Sequence, residues 1–74
     1  VDDLMNLGGE KYLPSVFENA LRGLTGVAEA AAFPIQDESG VTVPCLAIVA
    51  KAPVATERIA QALRRAGLPP ARVL

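Results

Sequence analysis

Histidine is missing from this 74-residue sequence, and there is a single cysteine. The first absence excludes an imidazole general base, an imidazole metal ligand, and any Ser-His or Cys-His dyad. The second excludes an internal disulfide framework and fits a reducing compartment, so a cytoplasmic setting is expected. Long apolar runs are also lacking. The longest, Cys45 to Ala50, falls far short of the roughly 20 residues that a membrane-spanning helix needs. The chain opens Val1-Asp2-Asp3, with no basic segment of the kind that starts a signal peptide. Net charge is only −1, which gives no electrostatic reason to expect nucleic acid or a membrane surface as a partner. No glycine-rich phosphate loop ending in Lys and Ser or Thr is present, and no spacing of metal ligands stands out.

What is abundant is apolar residues, at 51%. A chain this short buries only a small core, so part of that surface is expected to pack against something else. The sequence starts without methionine and stops in the apolar run Val73-Leu74. Both ends suggest a piece of a larger protein, and residues 1–74 read as one small domain.

Punctuation by glycine and proline divides the chain. Leu4–Leu7 and Lys11–Leu13 flank Gly8-Gly9, which reads as a hairpin because both turn residues can take positive φ. Val16, Phe17, Ala20, Leu21 and Leu24 then line one helical face. Its start has two solutions: Ser15 and Glu18 as a capping box, or Pro14 at the first helical position. Gly23 or Gly26 ends it. Val27–Ile35 favours helix by its alanines, but Gly26 and Pro34 bound it and a turn follows at residues 36–40. With the β-branched run Val41–Lys51 beyond that turn, both segments read as strands of a second hairpin. Pro44 cannot donate to a ladder and should sit near an end or an edge. Thr56 should cap a second helix with Ile59, Leu63 and Ala66 inward, stopped by Gly67 and Pro69-Pro70. Ala71–Leu74 reads as the beginning of a strand. The order β-β-α-β-β-α-β predicts an α+β domain: a small, largely antiparallel sheet with two helices packed on it and a short N-terminal β-hairpin.

Residue by residue, the simplest readings are structural. Gly8-Gly9 makes a turn, Lys11 is solvated, and Asp2 and Asp3 form an exposed end. Cys45 is a buried strand residue, since nothing nearby in type could act as its base. Arg58, Arg64 and Arg65 form the wet face and last turn of the second helix, where cations oppose the helix dipole. On these residues alone, a small binding module remains an open alternative.

The opening stretch "VDDLMNLGGEK" resembles the linker and first hairpin of the C-terminal lid domain of adenylate-forming enzymes, the group of acyl-CoA synthetases, adenylation domains and luciferases. "LPSVFENAL" resembles that family's first helix, and "GVAEAAAFPIQDESG" its following strand and acidic turn. "VPCLAIVA" and "ALRRAGLPPARVL" extend the resemblance over essentially the whole chain. It implies a two-step reaction: ATP activates a carboxylate to an acyl-adenylate, and the acyl group then moves to the thiol of CoA or of a carrier-protein pantetheine. The lid turns between the steps on a hinge, which matches Asp2 within a 1–3 linker. Gly9 matches the glycine whose backbone lines the pantetheine tunnel. Lys11 matches a position, often arginine, that faces the adenylate phosphate; lysine keeps the charge without the bidentate fork. The resemblance places the family's adenylation lysine beyond Leu74, so no catalytic residue and no metal ligand are expected within this chain. The parent enzyme would use ATP, Mg2+ and CoA through a large N-terminal AMP-binding domain, and the chain alone would bind none of them and be inactive.

Overall fold

A computed structural model describes residues 4–74. Two short strands, β1 (Met5–Leu7) and β2 (Glu10–Tyr12), are followed by α1 (Pro14–Arg22) and the long strands β3 (Val27–Gln36) and β4 (Thr42–Ala50). Helix α2 (Thr56–Arg65) and the two-residue β5 (Arg72–Val73) complete the order expected from sequence. β1 and β2 form an antiparallel hairpin of their own, and the second sheet runs β3-β4-β5. β4 pairs antiparallel with β3 and parallel with β5, with α2 as the crossover between the parallel strands. The result is the expected small α+β fold.

Period-2 alternation sorts the sheet. Ala32 and Leu46 are buried, and with Phe17 and Leu21 of α1, Ile59 and Leu63 of α2, and Met5 of β1 they form one core cluster. Both helices therefore lie on the face presented by the even-numbered residues of β3 and β4. Cys45, of the opposite parity, is buried outside that cluster. Of the two solutions for the start of α1 the structure takes Pro14 at the first helical position, and the expected cap of α2 needs correction. α1 begins at Pro14 with Leu13 as its N-cap, and no side chain caps it, so the Ser15–Glu18 capping box does not form. Glu18 instead turns outward to accept the Ala32 backbone N–H at 3.0 Å, closing a donor on the free edge of β3. A carboxylate that reaches a partly buried strand donor has a better partner than a solvated helix end. Thr56 does not cap α2 either: it is the first helical residue, and Ala55 is the N-cap with no side-chain bond. α1 ends on Gly23, whereas Gly26 leads into β3 with φ +95°.

Pro44 is the third residue of β4 and faces Pro34 directly. The Asp37 N–H donates to the Val41 carbonyl at 2.9 Å, which makes the odd-numbered pairs of this register the hydrogen-bonded ones. The Pro34–Pro44 pair thus falls where neither residue owes the other a bond. On its outer side Pro44 precedes the stretch that β5 covers, which starts at Cys45. A proline in the middle strand is accommodated because it sits near that strand's end. Arg72 of β5 reaches Glu38 in the β3–β4 turn at 3.4 Å, and this solvated contact holds the Glu38 carboxyl below its usual pKa through the hydrogen bond and the charge of the guanidinium.

Candidate functional site

The N-terminal hairpin carries the residues singled out by sequence. Two-stranded hairpins are marginal alone, and this one is anchored on one side only. Met5 is 1% exposed in the core, and the Tyr12 ring meets Phe17 of α1 edge-on, with centroids 5.9 Å apart. Met5 pairs with Tyr12 and Leu7 with Glu10, so these four side chains share the inner side, where the Tyr12 hydroxyl donates to Glu10 Oε2 at 3.1 Å. That bond, with some desolvation and the Glu10 charge, raises the Tyr12 pKa above its ordinary value.

Asn6 and Lys11 form the intervening pair and point the other way. A two-residue loop makes Leu7–Glu10 a hydrogen-bonded pair, so Asn6–Lys11 is the non-bonded kind, in which facing side chains lie closest. Both residues are exposed. At the tip, Gly8 and Gly9 have φ of +63° and +90°, the two positive values of a type I′ turn. A Cβ built on either would meet nothing within 4 Å. The glycines are thus required by backbone conformation, and the space beside them is open to a ligand's approach. Asn6 Oδ1 accepts the Gly9 N–H at 3.2 Å across the turn.

The structure therefore brings Gly9 and Lys11 onto one exposed side of one hairpin and adds Asn6, which sequence reasoning did not single out. The available signal was an asparagine three residues before a Gly-Gly turn, a side chain suited to bonding nearby backbone. Asp2 lies outside the described residues. Cys45 is buried, and Arg58, Arg64 and Arg65 are exposed, as expected. Among the described residues no three His, Cys, Asp or Glu side chains gather as a metal site requires.

A groove of about 480 Å3 lies elsewhere, along β3 between Glu18, Arg22, Val27, Glu29, Ala30 and Val49. Gly9 and Lys11 are exposed and line neither this groove nor the one of about 370 Å3 beside Met5 and Asn6. Such a surface can contribute a backbone flank and a cation to a site but cannot enclose a substrate.

No family model and no curated protein matches the chain. Solved structures do. o-Succinylbenzoate CoA synthetase from Bacillus subtilis, solved with its acyl-adenylate intermediate, superposes at TM-score 0.80 with 27% identity over 97% of this chain and 16% of that one. A fatty acyl CoA synthetase from Mycobacterium tuberculosis gives 0.78 and 26%, again over 97% of this chain and 16% of the other. An amide bond synthetase from Marinactinospora thermotolerans shares the fold at TM-score 0.80, with 18% identity over 99% of this chain and 16% of that one. The chain thus spans about one sixth of the length of these enzymes. The chain therefore has the fold of the C-terminal lid domain of the adenylate-forming enzymes and is similar to it over nearly its whole length.

Proposed function

We propose that this chain is the lid of an AMP-forming acyl-CoA synthetase, which activates a carboxylate with ATP and passes the acyl group to the CoA thiol. The observation that carries this reading is the open, positive-φ Gly8-Gly9 turn beside Lys11, in a domain that superposes over nearly its whole length on CoA synthetases. In the second step the bare Cα of Gly9 forms one flank of the pantetheine tunnel, where any side chain would intrude. Lys11 places a positive charge toward the adenylate phosphate. Asp2, in the 1–3 linker, is the hinge that brings this hairpin to the reacting centre.

The partner in this reading is a large N-terminal AMP-binding domain of the same protein, which supplies the acyl pocket and the sites for ATP and Mg2+. ATP and magnesium are bound by one of the matched synthetases. The adenylation lysine falls beyond Leu74. A lid of this kind also suits an adenylation domain that loads a carrier-protein pantetheine, because the same arm reaches the same turn. The test is pyrophosphate release from ATP with a panel of carboxylates. The protein that carries this chain is expected to turn over, and the isolated 74 residues are expected to be silent, since positional and electrostatic catalysis need groups converging on one centre. Turnover by the isolated chain would overturn the reading.

A further inference from the structure

We propose that Asn6 is the positioning residue of the Gly8-Gly9 turn, and that it fixes which part of Gly9 a thioester acceptor meets. The proposal rests on the lid reading above. Its own ground is geometric. Asn6 Oδ1 accepts the Gly9 N–H at 3.2 Å, and that bond crosses a turn whose residues touch nothing else within 4 Å of their Cβ positions. The Cβ positions of both turn glycines are open, so among the described residues the strand register and this side-chain bond are what constrain the tip. A glycine pair is otherwise free to sample both signs of φ.

The bond has a chemical consequence. With its N–H committed to Asn6, Gly9 offers an approaching arm its unsubstituted Cα rather than a donor. Asn6 also faces Lys11 across the hairpin, on the same exposed side. One side chain therefore sets the glycine flank and stands beside the cation. Glu10, the nearest carboxylate in sequence, lies on the inner side and is engaged by Tyr12.

Two measurements test this. In the 74-residue chain, amide exchange and the NMR shift of Gly9 are compared for wild type, Asn6→Ala and Asn6→Asp. Asn6→Ala should speed Gly9 exchange about two- to tenfold, the range of one uncharged hydrogen bond, and Asn6→Asp, which keeps the acceptor, should restore protection. In the intact protein, Asn6→Ala should raise KM for the thiol acceptor by a similar factor and change pyrophosphate exchange less, with Asn6→Asp moving KM back toward wild type. Unaltered Gly9 exchange in Asn6→Ala would overturn the proposal whatever the kinetics. Faster exchange with an unchanged acceptor KM would also overturn it, reducing Asn6 to a structural turn residue. Absence of pyrophosphate exchange in the wild-type protein would instead refute the lid reading, and the functional half of the proposal with it.

Discussion

Replacing Gly26 by alanine should damage this fold far more than the same change at Gly9, although both glycines have φ near +90°. Gly26 links α1 to β3, and its carbonyl accepts the Lys51 N–H at 2.8 Å. A Cβ there would stand 3.1 Å from the Ala52 carbonyl oxygen and 3.1 Å from Val54 Cγ2, and one of those neighbours is backbone. Left-handed backbone costs a non-glycine residue about 1–2 kcal/mol. Forcing an extra methyl into a closed site adds about 1–3 kcal/mol. Restricting the unfolded chain returns about 0.4–1 kcal/mol. The net loss at Gly26 is about 2–4 kcal/mol, which in a domain of this size lowers Tm by roughly 10–30 °C. At Gly9 only the backbone and unfolded-state contributions apply, for a net of about 1 kcal/mol. Thermal and urea unfolding followed by circular dichroism would measure both. Equal losses within about 0.5 kcal/mol would refute the argument that the Ala52–Val54 contact, rather than φ alone, dictates glycine at position 26.

Tyr12 is the one tyrosine and there is no tryptophan, so phenolate absorbance reports it directly. Its raised pKa means the folded hairpin favours the neutral phenol: that contribution is complete below the unfolded value near 10 and is lost as pH rises through the folded value. The native chain should titrate at higher pH than the urea-unfolded chain, and Glu10→Gln should narrow the gap; coincident titrations would exclude the Glu10 bond. Glu18→Ala should unmask the Ala32 donor on the free edge of β3. A loss of about 1–2 kcal/mol is expected for a partly exposed charged hydrogen bond, with faster exchange at the Ala32 amide; unchanged exchange there would show that the carboxylate does not cover the edge.

Element order was legible because glycine and proline punctuate the chain at nearly every boundary. Val27–Gln36 is the instructive case. Its alanines favour helix, but the register of nine facing residues with β4 overrode propensity, and the Asp37–Val41 turn made that pairing local. Sequence could not choose between the two starts of α1 for a related reason. Ser15 and Glu18 fit a local pattern, but the partner of Glu18 lies fourteen residues away on an edge that no local rule could reveal. Likewise Gly9 and Lys11 were visible as residue types, whereas the bond from Asn6 and its place across from Lys11 follow from register and turn type together. The parallel pairing of β5 depends on only two residue pairs and carries no sequence signal of its own.

The central claim is that the Gly9 tip serves acyl transfer rather than adenylation. Gly9→Leu in the intact protein tests it most directly, because a Cβ at this position would meet nothing within 4 Å and only the positive φ opposes the change. Pyrophosphate exchange and thioester formation are measured on the same preparation, with a melting curve to confirm that the fold persists. Thioester formation should fall steeply while exchange stays near wild type. Equal loss in both half-reactions, in a protein that melts normally, would contradict the account.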